Sequence, residues 1–369
     1  MSTVAEIIGY AKQLNASDIH ISVGTRPTLR VDSALTESSF DPVTLEAMER
    51  YVAELIPEAR LQAFKRDREL DFSLGRADLG RLRVNAYYQR SSIAFSIRIL
   101  PSKILTFEEI GLPATVMRRV IDSTTGLVLL TGPTGSGKTT TMAALVDAIA
   151  AARECHIVTI EDPIEYVYRN AKATIHQREV GSDTMTFASA LKHVLRQDPD
   201  VIVIGEMRDT ETVEAALTAA ETGHLVIATL HTPDAVQTIN RIIDVFPEQK
   251  HPQVRTQLSF VLNAVISQRL VSRGQARGRA LAAEILIVTQ AVRSLVRDNK
   301  VHQLYSTIQT GAKEGMRTMS QSLADLVTSQ KVPEREAIRF VANLEEFHRA
   351  LGQPQPPSPP GRHARAGSR

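Results

Sequence analysis

The run Gly132-Pro133-Thr134-Gly135-Ser136-Gly137-Lys138-Thr139 is a complete GxxxxGK[ST] sequence, and Thr140 follows it. Glycines at these positions let backbone N–H groups close around phosphate oxygens. A lysine here reaches the β- and γ-phosphates, and the hydroxyl after it ligates Mg²⁺. The chain is therefore expected to bind a nucleoside triphosphate, with ATP and Mg²⁺ as cofactors. Phosphate binding alone does not establish hydrolysis, which also needs a group that orients the attacking water. Acids at two other apolar runs supply candidates: Glu161, Asp162 and Glu165 after HIVTI, and Glu206 after VIVIG. Gly205 stands where the more usual P-loop pattern has an aspartate, and Glu206 takes the place of the magnesium-facing carboxylate. His224 and His231 bracket LVIATL, too far apart along a strand of ~3.3 Å per residue to share one ion. Arg81, Arg83, Arg90 and Arg98 near the N-terminus, with Arg208 and Arg241, are candidates to neutralise charge on a transferring γ-phosphoryl group.

These residues must be carried by elements that bring them together. From Gly126 onward short apolar runs alternate with helical stretches: GLVLLTG, HIVTIED, VIVIGE, LVIATLH and LAAEILIV as strands, with TTMAALVDAIAAARE, TFASALKHVLRQD and TETVEAALTAAETG between them. Such alternation predicts an α/β fold with a parallel sheet covered on both faces, and catalytic groups at the strand C-terminal ends. The first hundred residues read as a smaller α+β domain. Val4, Ile7, Ile8, Ala11 and Leu14 recur at helical spacing, DIHISVG and TLRVDSAL read as strands, and helices are expected across Asp41 to Ile56 and Glu58 to Phe64. Alternation at Val84, Ala86 and Tyr88 and at Ile93, Phe95, Ile97 and Ile99 predicts half-buried strands in a hairpin, and Pro101 closes this first domain. The expected boundaries are a domain at 1–100, a linker at 101–118, an ATPase domain at 119–289, a helical unit at 290–350 and a disordered Pro-rich tail at 351–369.

Composition excludes several classes. Of 369 residues, 43% are hydrophobic and 23% charged, so the chain is neither disordered nor fibrous. Lys+Arg 43 against Asp+Glu 41 leaves a charge of +2, with 5% aromatics and no Trp, which argues against a nucleic-acid motor with a basic stripe and stacking platforms. The lone Cys155 supports neither a disulfide nor a multi-cysteine zinc element. With no basic leader and no run of eighteen apolar residues, the expectation is a cytoplasmic protein without direct membrane insertion.

The order TGPTGSGKTTT, TIEDPIEY, HQREVG, DPDVIVIGEMRDTET and ETGHLVIATLHT resembles the type II/IV secretion ATPase superfamily in its Walker A, Asp-box, atypical Walker B and His-box motifs. SDIHISVG and GRLRVN extend the resemblance to the first domain. The segment Ala291-Val292-Arg293-Ser294-Leu295-Val296-Arg297-Asp298 is similar to the AIRNLIRE motif of the pilus-retraction branch, with Val292, Ser294, Val296 and Asp298 departing from it. A further departure is Asp32-Ser33 in place of a glycine after the second strand. The resemblance implies a PAS-like N-terminal domain, a RecA-like P-loop core and a homohexamer that hydrolyses ATP to drive type IV pilus retraction and twitching motility. It implies an inner-membrane platform protein at the pilus base as partner, with recruitment to the cytoplasmic face of that membrane. It further implies that Lys138 and Thr139 hold phosphate and Mg²⁺, that Glu165 is the catalytic glutamate and Glu206 the Walker B acid, and that His224, His231 and Arg241 couple nucleotide state to domain position. Hairpin arginines would complete the site in trans. A paralogous pilus or type II secretion ATPase is the alternative, and a RecA-like nucleic-acid motor a more distant one.

Overall fold

The computed structural model describes residues 2–31, 34–76, 79–100, 103–274 and 278–352. Asp32-Ser33, Pro101 and all of the expected tail beyond Gly352 lie outside the described residues. In chain order the strands are β1 Asp18–Ser22, β2 Thr28–Val31, β3 Ala34–Glu37, β4 Glu69–Arg76, β5 Gly80–Gln89, β6 Ser92–Ile99, β7 Gly126–Thr131, β8 His156–Glu161, β9 Thr174–Glu179, β10 Val201–Ile204, β11 Leu225–Leu230, β12 Leu262–Ser272 and β13 Arg279–Ile287. The chain forms two compact units: one holds 1–105 and 143–205, the other 106–142 and 206–369.

In the first unit, six strands make an antiparallel sheet in the order β3-β2-β1-β6-β5-β4. Its helix Val4–Gln13 begins in a capping box, with Thr3 accepting from the Glu6 N–H and Glu6 accepting from the Thr3 N–H. Val4, Ile7, Ile8 and Ala11 are buried as their spacing requires, whereas Leu14 lies past the helix end and is largely exposed. Helices Leu45–Leu55 and Glu58–Asp67 join the same core, where Phe64, Leu82, Phe95 and Ile97 are sealed from solvent. TLRVDSAL resolves into β2 and β3, paired with each other, and β4, which the spacing did not announce, pairs along its own whole length with β5. The same unit contains β8 flanked by β10 and β9, all parallel.

The second unit carries β11, β7 and β12 in parallel, with β13 antiparallel on β12. Every residue of β7, β10 and β11 is buried, as continuous apolar runs in a parallel sheet should be. β9 and β12 are additions to the sequence reading: β9 is a polar strand, and β12 hides Ser267 and Gln268 among its apolar residues. Residues 290–350 are helical, except that Arg317 bridges Ile285. Their core joins Phe347 and Leu323 to Val271, Ala280 and Ala282 of β12 and β13. The fold is α/β with a mostly parallel sheet, an antiparallel N-terminal sheet and a helical C-terminal unit. Among the described residues no helix is long and apolar enough to cross a membrane.

Candidate active site

The phosphate loop leaves the C-terminal end of β7 and runs into the helix Lys138–Ala152. Gly132 has φ 137°, and a Cβ there would sit 2.4 Å from the Gln268 carbonyl oxygen and 2.7 Å from the Ser136 hydroxyl, so only glycine fits. Lys138 is nearly buried and donates from Nζ to the carbonyl oxygens of Gly132 at 2.7 Å and Pro133 at 3.1 Å. Its charge is thereby held over the loop. The Ser136 hydroxyl is buried without a hydrogen-bond partner among the described residues, an unused donor inside a loop whose chemistry suits an oxyanion. Beneath the loop, Gln268 donates to the Thr141 hydroxyl at 2.7 Å and Thr131 donates to Ser267 at 2.8 Å. Gln268 and Ser267 support the loop from a strand whose polar interior had disguised it.

β11 runs beside β7 in parallel, with Leu230 opposite Thr131, so His231 and Gly132 leave adjacent strand ends. His231 Nε2 lies 3.3 Å from Glu206 Oε2, while Arg208 Nε donates to Glu206 Oε1 at 2.8 Å. The Met207 N–H donates to the Thr229 carbonyl at 3.0 Å, which pins the Glu206 segment to β11. His224, at the other end of β11, has a different setting: its Nδ1 lies 2.9 Å from the Ala219 carbonyl at the end of helix Thr210–Glu221. Arg241 projects to solvent from helix Ala235–Asp244. Thr139 and Thr140 are half-buried at the start of the loop helix.

In the first unit, Glu161 ends β8 and is buried, accepting from Thr159 at 2.6 Å and from Gln177 at 3.2 Å. Burial pushes its carboxyl upward, against those two hydrogen bonds and with Glu165 adding repulsion. Gly205 lies against this strand: a Cβ would come within 3.3 Å of both the Glu161 Cα and the Ile160 carbonyl oxygen, which explains glycine where other P-loop proteins carry a side chain. Asp162 is exposed and Glu165 half-buried. The segment from Ile164 to Tyr168, which contains Glu165, is held by β9. Glu179 accepts from the Ile164 N–H at 3.2 Å, and Gln177 donates to the Tyr166 carbonyl at 2.8 Å and accepts from the Tyr168 N–H at 3.0 Å. Arg81 completes the hold, donating to Glu179 at 2.6 Å and to the Ile164 carbonyl at 3.2 Å.

The remaining arginines divide by environment. Arg98 pairs with Asp18 at 2.9 Å; although burial opposes it, hydrogen bonds from Ser17 and Arg98 keep the Asp18 carboxyl below its usual range. Arg83 is opposite Arg98 across the β5–β6 pairing, and both are exposed, as is Arg90. The positioning roles of Gln177, Glu179 and Gln268 escaped the sequence reading, although HQREVG was conspicuous as a motif. Nothing in a residue's type announces that it will accept from a distant backbone N–H.

Hydroxyl and carboxylate oxygens at Thr139 and Glu206 are the hard donors Mg²⁺ prefers. Among the described residues there is no cluster of three or more His, Cys, Asp or Glu able to hold a metal ion.

Residues 1–339 match the family described as Type II/IV secretion system protein. The type IV pilus retractation ATPase PilT of Pseudomonas aeruginosa is 44% identical over 343 residues, 93% of this chain and 99% of that protein. A twitching motility protein of Neisseria gonorrhoeae is 43% identical over 87% of this chain and 86% of its own length. The crystal structure of the pilus retraction motor PilT with bound ADP matches with a TM-score of 0.88 at 44% identity, covering 95% of this chain and all of that one.

Proposed function

Because this chain belongs to the type II/IV secretion system protein family, we infer that its phosphate loop serves ATP hydrolysis and that hydrolysis drives type IV pilus retraction. The observation that carries the reading is the loop itself: a buried strand, a glycine that only glycine can replace, Lys138 held over the loop and an unpartnered Ser136 hydroxyl inside it. These features sit in a chain that matches a retraction motor along nearly its whole length.

In this reading, the loop amides, Lys138 and Ser136 bind the β- and γ-phosphates. Glu165 takes a proton from the attacking water, and what supports it is a segment anchored on both sides by Glu179 and Gln177. Thr139 and Glu206 are the residues that would hold Mg²⁺, which when bound neutralises phosphate charge. His231 positions Glu206, and Arg241 lies on the helix that follows the His231 segment. Exposed Arg83 and Arg90 are better placed than the doubly bonded Arg81 to reach another subunit. The proposal retains the functional domains 1–100, 119–289 and 290–350. It further includes a homohexamer on the cytoplasmic face of the inner membrane, engaging a platform protein at the pilus base.

The test pairs two variants. Lys138→Ala removes the charge over the loop and should abolish ATP binding, whereas Glu165→Gln should bind ATP and turn over about 10²-fold or more slowly. Near-normal turnover by Glu165→Gln with binding intact would remove the base assignment. In cells, deleting the gene should give hyperpiliated, non-twitching bacteria, and normal twitching would refute the retraction role.

A further inference from the structure

We propose that a basic cavity in the first unit is a binding site for a small organic phosphate that carries two or more phosphate charges. The cavity has a volume of about 830 Å³, within the range that holds small organic ligands. Lys12, Arg76, Arg81 and Arg169 line it, and no acid stands among its described lining residues. All of its lining residues belong to the first unit, and none to the phosphate loop. Ile99, Leu100 and Val167 give it an apolar side, and Val167 is 61% exposed there.

Glycines keep two of the cation tips uncovered. Gly80, in the left-handed region at φ 70°, lies against the Lys12 ammonium, and a Cβ there would stand 3.1 Å from Nζ. A Cβ at Gly75 would likewise stand 3.5 Å from Arg81 Nη1. Arg81 donates through Nε to the Ile164 carbonyl and through Nη2 to Glu179, which leaves Nη1 for a ligand. The side chains of Lys12, in the last turn of helix Val4–Gln13, and of Arg169 make no hydrogen bond or ion pair among the described residues. Arg169 comes from the segment that carries Glu165. Tyr166 and Tyr168 of that segment are buried, whereas Val167 and Arg169, alternating with them, are exposed and line the cavity.

Cations gathered around one concavity repel each other and focus a positive potential into it. Glu179 offsets the charge of Arg81, but Lys12 and Arg169 have no such counter-charge among the described residues. Guanidinium forks match phosphate oxygens two at a time, and an ammonium adds a point charge. Three separate donors, Lys12 Nζ, Arg81 Nη1 and the Arg169 guanidinium, suit a ligand with more than one anionic group. The apolar side formed by Ile99, Leu100 and Val167 suits a body that an inorganic anion lacks, such as a flat ring.

The experiment titrates the full chain with adenosine 3′,5′-bisphosphate and with inorganic pyrophosphate in a calorimeter, at about 0.15 M salt to screen diffuse attraction. A Lys138→Ala background keeps both probes off the phosphate loop. The bisphosphate should bind saturably and more tightly than pyrophosphate. Lys12→Ala and Arg169→Ala should each weaken its binding about tenfold or more. Lys65→Ala, which removes an exposed charge of the same unit outside the cavity, should leave it unchanged. Lys12 and Arg169 are exposed, so these variants should fold, and melting curves verify it. No saturable binding, wild-type affinity in the two cavity variants, or an equal loss in Lys65→Ala would overturn the proposal. Equal affinity for the two probes would overturn the organic ligand. None of these readings depends on ATP hydrolysis, so the proposed function stands or falls apart from them.

Discussion

The imidazole Nε2 of His231 and the carboxylate of Glu206 are 3.3 Å apart, and the second oxygen of that carboxylate belongs to Arg208. Glu206 is thus held from two sides, both exposed but unequally: the His231 side chain is 46% exposed and that of Arg208 73%, so water screens the Arg208 charge more. Removing the imidazole should matter more. His231→Ala is expected to lower kcat by about 10²-fold with KM nearly unchanged, and Arg208→Ala by less than about tenfold. Steady-state phosphate release checks this, and equal losses in the two variants would contradict it.

Arg81 is spent within its own chain, on Glu179 and the Ile164 carbonyl next to Glu165. Its pair is largely buried, with side-chain exposures of 22% and 9%, so Arg81→Ala should destabilise the protein by about 3 kcal/mol as well as loosen the Glu165 segment. Mixing distinguishes this role from one in trans. Arg83→Ala or Arg90→Ala combined with Lys138→Ala should recover ATPase activity in mixed assemblies, whereas Arg81→Ala with Lys138→Ala should not. Recovery with Arg81→Ala would show that the arginine serves a neighbour.

Glu284 of β13, only 4% exposed and accepting from the Ala235 N–H at 2.9 Å, makes a prediction for stability. Its carboxyl titrates at about 7 in the fold against an ordinary 4.5, so between those values the folded chain holds a proton the unfolded chain has released. Stability from this group is accordingly lost as pH rises from 4.5 to 7, by on the order of 3 kcal/mol. Glu284→Gln lacks that loss. Its Tm relative to wild type should climb between pH 5 and pH 8, and melting curves that keep a constant offset across this range would refute the linkage.

Arg293 and Arg297 look interchangeable in sequence and are not. Arg293 Nη1 donates to the Ser259 carbonyl at 2.7 Å and also to that of Phe260, closing the end of helix His251–Val261. Arg297 is exposed beside Asp298 at 3.4 Å. Arg293→Ala should cost about 1–2 kcal/mol by freeing those carbonyls, and Arg297→Ala less than about 0.5 kcal/mol. Denaturant titration reads both. A retraction defect in Arg297→Ala at wild-type stability would then report on the partner surface alone.

The chemistry of this protein is largely written in its local sequence. A phosphate loop is a contiguous run whose glycines and lysine act through backbone geometry, so Gly132 to Thr139 could be read without knowing what packs around them. Buried parallel strands announced themselves in the same way, because β7, β10 and β11 are apolar at every position or nearly so. The helical face of Gln290–Arg297 was harder. Val292 and Val296, two of the four residues that depart from the related motif, are the buried ones, while Ala291 is exposed. β9 and β12 were illegible because their polar residues are satisfied by partners remote in sequence: Gln268 by Thr141, and Glu179 by Arg81 and Ile164. Likewise, nothing in the run AAEIL distinguishes Glu284 from a solvated acid. Its significance arises because packing buries its carboxylate against the start of helix Ala235–Asp244, 49 residues earlier in the chain, where it accepts from the Ala235 N–H. Side-chain type and spacing determine which groups are available, but desolvation and hydrogen-bond completion depend on long-range packing, and only the tertiary structure decides them.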